Sequence, residues 1–380
     1  VLIHRGFIQA VGASRQVLSL GAARDCREID ATGKVVVPAF VDPVVSLVQT
    51  RPSPRHLDRL LQIYDTADPG VFQEILKESA HACAALSSQT LKLRVRRAAS
   101  GMLRHGTGTV ASRAPYAFDD TFLMKILRLQ HEQDGALQSV STLFLKPPDD
   151  ADAAAWTQYV CQNLMPKVRK RRLAAAIDLE YDSMSLPFPM ASAILRCAAQ
   201  LGFVVNVHAG PSSRGSAVPL GLSQDAYTVG GFRDISEDEI QSLAESPTMA
   251  IFKPGITFQT GMAFRTPGRA MLDAGVIPVL ASAFHPELSP SYNMQLILLL
   301  AARLFGFKPE EAISAATINA AHALRLESSV GSIETGKQAD MLILNVSDYR
   351  ELAYYAGINV VDKVIKRGIL AFDASEERRQ

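Results

Sequence analysis

The sequence has little cysteine. Its four residues, Cys26, Cys83, Cys161 and Cys197, lie far apart, and no two stand in C-x-x-C spacing. That excludes a cysteine zinc clip and a dithiol redox motif. It leaves the cysteines as buried hydrophobes by default and makes a reducing cytoplasm the expectation. Long apolar runs are also missing. The most apolar stretch, "MQLILLLAARLFGF", falls short of the roughly 20 residues a membrane span needs and is interrupted by Arg303. No membrane segment is expected, and no signal-peptide pattern is visible. The chain starts at Val1 rather than methionine, which leaves room for preceding residues. Excess charge is absent too: 39 Lys and Arg stand against 38 Asp and Glu, for a net charge of +1. Neither nucleic acid nor an anionic membrane is therefore expected as a partner. The one dense charge cluster, "KVRKRR" at 167–172, reads as a solvated helix end. Internal repeats and low-complexity segments are not detectable. "GTGT" at 106–109 is too short for a phosphate-binding glycine loop. No G-x-S-x-G elbow and no Ser-His-Asp arrangement can be read.

What remains is an ordinary globular composition, 380 residues with 48% hydrophobic and 20% charged. Such a chain can bury a large core. Length alone suggests two or three domains, although an α/β barrel of roughly 250 residues forms one unit. The two ends look alike. "VLIHRGFIQAVG" and "CREIDATGKVVVPAF", with a turn at 31–34, are β-rich, and so are "GSIETGKQADMLILNV" and "VDKVIKRGILAF". A small discontinuous β-sandwich is expected from residues 1–37 and 329–372, followed by a polar tail at 373–380.

Between the ends, strands and helices alternate. "TFLMKILRLQHEQ", "DAAAWTQYVCQNLMPKV" and "PMASAILRCAAQLG" carry apolar residues at spacings of three and four. Ser236 and Glu239 form a capping box ahead of "SEDEIQSLAES". Pro309 suits the first turn of "KPEEAISAATINAAHAL". The runs "TGTVAS", "VSTLFL", "AAAIDLE", "FVVNVHAG", "TMAIFKPG" and "VIPVLASAF" are short and mainly apolar without strict alternation, as buried parallel strands require. The pattern predicts a (β/α)8 TIM-like barrel over residues 38–328.

Specific text then supports a family. "TINAAHALRLESSVGSIETGKQADMLILNV" resembles the segment that closes amidohydrolase-superfamily barrels, and "SDYRELAYYAGINVVDKVIKRG" resembles the imidazolonepropionase C-terminus. "EIDATGKVVVPAFVDP", "FVVNVHAG" and "GVIPVLASAFHPELSPSYNMQLILLLAARLFGFKPEEA" extend the resemblance over residues 1–48 and 200–372. It implies opening of an imidazolone ring by water activated on one divalent metal, zinc or iron. It also implies a metal site built from two histidines after the first strand, one after the fifth and an aspartate after the eighth. Those positions hold Val44, Ser46, His208 and Ala283. Only His208 remains of the ligand set, and a catalytic metal needs about three protein ligands. No metal is therefore expected.

The acidic residue expected after the third histidine is also missing, since Ala209, Gly210 and Pro211 follow His208. A further family histidine falls on Gly230-Gly231, and a substrate asparagine falls on His285. Arg51, Tyr116, His208 and His285 are the candidates for lining a ligand pocket. A site rebuilt from His208 and His285 would need a carboxylate, for which Asp42, Glu180 and Asp182 are the nearest in element order. Asp42 has a competing role as a hydrogen-bonding group at its strand end. The favoured expectation is a degenerate enzyme that binds a small anionic ligand or serves as a structural or regulatory subunit. The alternative is an active cyclic-amide hydrolase using a rearranged site. The resemblance further implies a homodimer, or a heteromer with a related subunit.

Overall fold

The computed structural model describes residues 1–50, 52–62, 69–114, 119–131, 135–148, 151–210, 216–233, 235–259 and 266–377. Eight parallel strands form one sheet in strict chain order. They are Phe40–Val45, Thr107–Arg113, Gln138–Leu145, Ala176–Tyr181, Val204–Ala209, Thr228–Gly230, Met249–Phe252 and Pro278–Leu280. Each pairs with the next. A parallel bridge between Val45 and Phe284 joins the first strand to the segment leaving the eighth, and closes the barrel. Helices fill the intervals and cover the outer faces of the strands, while the inner faces turn into the closed barrel, so both faces are buried. That is why the strand sequences are mainly apolar rather than strictly alternating.

The barrel was legible except for its sixth strand. Thr228–Gly230 is only three residues long and ends in glycine, so it gives no apolar run. The helix expected from "KPEEAISAATINAAHAL" is two helices, Pro309–Ala315 and Ile318–Ala323. They break at Thr317, whose φ of −128° and ψ of −92° are not helical. The capping box at Ser236 and Glu239 is present, as is Pro309 in the first turn of its helix. The apolar stretch near residue 300 is the helix Met294–Phe305, packed into the core and ended by Gly306 at φ 72°. Among the described residues no helix is long and apolar enough to cross a membrane.

The termini build a four-stranded antiparallel sheet in the order Ile369–Asp373, Val361–Lys366, Met341–Leu344, Val35–Pro38. A hairpin, Leu2–His4 with Phe7–Ala10, packs beside it through Ile8, Met341, Ile343 and Ile365. Asp373, expected to open the tail, instead ends a strand and accepts from Lys363 at 2.8 Å.

Candidate functional site

In a parallel barrel the carboxyl ends of the strands open into one mouth. Residues two apart on a strand share a face, so Asp178 and Glu180 of the fourth strand project together. The parallel register sets Glu180 beside His208 of the fifth. His208 Nδ1 lies 2.7 Å from Asp178 Oδ1, and its Nε2 lies 3.6 Å from Glu180 Oε2. Arg113, at the end of the second strand, forms a salt bridge with the other oxygen of Asp178. Lys146, just past the third strand, holds Glu180 at 3.0 Å. Phe144 completes the cluster, with the Arg113 guanidinium 5.6 Å from its ring centre and the His208 ring 6.0 Å away. Lys253, directly after the seventh strand, adds a third cation. It interacts electrostatically with Arg113, Asp178 and Glu180.

These neighbours set the charge states. Burial alone would raise Asp178, but Arg113, His208 and Lys253 hold its carboxyl well below the usual range. Burial opposes the ionised form of Glu180 as well, yet the neighbouring His208 ring and Lys146 bring it down to about 2. Lys253 moves the other way. Burial and then the nearby Arg113 charge lower it to about 7, against the pull of the two carboxylates.

The opposite side of the mouth is apolar. Val44 and Ala283 are buried in one cluster with Val41, Ile251, Val279 and Ala281. Ala283 has φ 50°, left-handed backbone that aspartate or asparagine tolerates better than alanine. Ser46 is buried, and its backbone N–H donates to the Phe284 carbonyl at 2.8 Å. Asp42 is fully buried and accepts from the Ser282 N–H at 3.1 Å, from the Ser282 hydroxyl, and from the Val44 N–H at 3.3 Å. It clasps the first strand to the last across the barrel seam. Burial raises its pKa to about 7 despite those donors.

His285 lies in the loop after the eighth strand with Nδ1 2.9 Å from a Glu287 oxygen. Burial pushes the Glu287 carboxyl up, but His285 and a Ser79 hydroxyl that donates to it bring it below its ordinary value. Asp182 accepts from the Met184 N–H at 3.1 Å and organises its own turn. Of the sequence candidates, His208 and Glu180 thus come together, while His285 has its own carboxylate. Arg51 and Tyr116 lie outside the described residues.

Arg113, Lys146, Asp178, Lys253 and Glu287 were not anticipated. The signal was present: "TVASR", "TLFLK" and "AIFK" each end an apolar strand in a basic residue. A charge at that end of a barrel strand faces the mouth.

The Amidohydrolase family pattern matches residues 265–370. An imidazolonepropionase from Deinococcus deserti is 31% identical over 374 residues, covering 97% of this chain and 90% of that protein. One from Treponema denticola is 29% identical over 382 residues, covering 97% and 91%. The chain belongs to the imidazolonepropionase family. Among solved structures, 5-methylcytosine deaminase from Klebsiella pneumoniae liganded with 5-fluorocytosine superposes with a TM-score of 0.75 at 17% identity, covering 98% of this chain and 93% of that one. At that identity the likeness is one of fold.

The divalent metal that the imidazolonepropionase resemblance implies does not fit this mouth. Val44 and Ala283 offer no lone pair, and both nitrogens of His208 face carboxylates. Among the described residues no group of three His, Cys, Asp or Glu converges where an ion could sit. Arginine and lysine occupy the ground beside His208 instead, and they neutralise the carboxylates that an ion would otherwise hold.

Proposed function

We propose that this chain is a metal-independent member of its family, catalytically degenerate toward cyclic amides, which binds a small and preferably anionic ligand at the barrel mouth. The engagement of His208 carries this reading. It sits between Asp178 and Glu180, which are themselves held by Arg113 and Lys146. No residue there is left to activate water through a metal. Three cations, Arg113, Lys146 and Lys253, face two carboxylates, so the mouth carries a surplus of positive charge while Lys253 is protonated. That surplus favours a carboxylate over a cation or neutral ligand.

Incubation with imidazolone propionate, with and without a chelator, tests the reading. Saturable binding without turnover is expected. Turnover above a buffer control that the chelator abolishes would instead identify a rebuilt metalloenzyme. The four thiols are free, which fits a reducing cytoplasm. The segment around Tyr354 supports self-association: Tyr354 and Ile358 are 66% and 56% exposed, and such apolar exposure suits the centre of an interface.

A further inference from the structure

The four cysteines stand far apart in the chain, yet the fold brings two of them together. Cys161 sits in a π-helical turn, Val160–Leu164, between the helices Ala153–Tyr159 and Met165–Lys170. Such wide turns are frequent at functional sites. Cys197 sits on the helix Phe188–Gln200. In the chain these two helical segments flank Ala176–Tyr181, the strand that carries Asp178 and Glu180. The Cys197 thiol donates to the Cys161 carbonyl at 3.5 Å. The Cys161 sulfur lies 4.0 Å from the carbonyl oxygen of Ala193, one helical turn before Cys197. The two thiols are also within hydrogen-bonding reach of each other. Each sulfur thus touches the opposite helix. Cysteine side chains are short, so sulfurs that meet in this way draw on backbones near the roughly 4.4–6.8 Å between α-carbons that a disulfide needs. Both residues are half-buried, which leaves them within reach of a small reagent, whereas Cys83 is buried. Cys26 is exposed, and its thiol donates to its own turn at the Ala22 carbonyl, 3.2 Å away.

We infer that Cys161 and Cys197 form a redox-modification site, at which a small disulfide converts the two thiols into an intramolecular disulfide that staples the helices together. Burial first, then the hydrogen bond and charge of Cys197, push the Cys161 thiol up to about 12. Cys161 therefore keeps its proton while Cys197 is ionised, and Cys197 attacks first. Its thiolate bonds to one sulfur of the small disulfide, whose sulfur–sulfur bond breaks and releases a small thiolate. That thiolate takes a proton from solvent. Once Cys197 is capped, its charge no longer holds the Cys161 proton, which passes to solvent. The Cys161 thiolate then bonds to the Cys197 sulfur and expels the second small thiolate, which is protonated in turn. Two protein thiols and one small disulfide thus give one protein disulfide and two small thiols. The protein pair loses two electrons and the small disulfide gains them. Excess small thiol runs the same exchange backwards.

The test incubates the intact, fully reduced protein with oxidised glutathione at mildly alkaline pH, followed by alkylation and peptide mapping without reduction. Most chains should yield a linked peptide joining Cys161 to Cys197. Cys26 should stop at a glutathione adduct, and Cys83 should stay unmodified. In Cys161→Ser, Cys197 should also stop at the adduct. In Cys197→Ser, Cys161 should react at least about tenfold more slowly than Cys197 does in the first variant, because its burial remains. The linked wild type should melt at a higher temperature than the reduced protein, and dithiothreitol should remove the difference. Mapping of the wild type decides the matter if the variants do not fold. A link that forms only after denaturation overturns the inference, as do separate adducts on Cys161 and Cys197 of the folded protein with no link. Equal rates in the two single variants overturn the order of attack.

Discussion

His208 presents Nδ1 to Asp178 Oδ1 at 2.7 Å while its other nitrogen lies 3.6 Å from Glu180 Oε2. A histidine binds a metal through the lone pair of one ring nitrogen, while the other nitrogen donates to an outer partner. Here acidic partners stand on both sides. The carboxylates in turn need cations, because two buried negative charges are costly without them. Arg113 and Lys146 supply those charges, and the mouth forms a closed set of ion pairs.

That closure makes Arg113 the most sensitive position in the mouth. Arg113→Met should destabilise the fold by about 3–5 kcal/mol, since it leaves Asp178 buried without its main counter-charge. Combining it with Asp178→Asn should recover much of the loss, because the orphaned charge goes with its partner. Denaturant melts of the single and double variants would check this. Additive losses would mean that the two residues do not act as a pair.

Asp42 predicts a pH signature. Its folded pKa is raised, to about 7, so the folded chain holds a proton there that the unfolded chain releases near pH 4. This contribution to stability is full below about pH 4 and fades as pH rises through about 7. Asp42→Asn should abolish that fade. Asp42→Ala should cost about 1–3 kcal/mol at every pH by leaving the Ser282 donors unmet. Melting temperatures of wild type and Asp42→Asn measured from pH 4 to 8 would reveal the difference, and parallel curves would count against the clasp.

Val44 sits in dry apolar surroundings at a position where the sequence resemblance implies a metal ligand. Val44→His should lower stability by about 1–3 kcal/mol, the cost of burying an unpaired polar ring. An unchanged or raised denaturation midpoint would show that the ring finds water or a partner there.

Self-association predicts a dimer in light scattering at micromolar concentration, with Tyr354→Arg shifting it toward monomer. A clean wild-type monomer would remove the dimer from the account.

Much of the fold was readable because buried parallel strands announce themselves as apolar runs, and six of the eight did so, while the first was placed by resemblance. The sixth, Thr228–Gly230, is too short and too small in side-chain volume to give a run. The split at Thr317 was hidden because alanine-rich text on both sides favours one continuous helix. At the site, resemblance drew attention to the implied ligand positions, now Val44 and Ala283, and away from the basic residues at the ends of other strands. Arg113, Lys146 and Lys253 belong to three different strands. Only closure of the barrel brings them to the carboxylates of a fourth, and no spacing in the chain encodes that meeting.

The metal content of the purified protein tests the central claim most directly. After exposure to zinc and to iron(II), followed by desalting, elemental analysis should find well below one ion per chain. It should also find no difference between wild type and His208→Ala. About one tightly held ion per wild-type chain, lost in His208→Ala, would contradict the account.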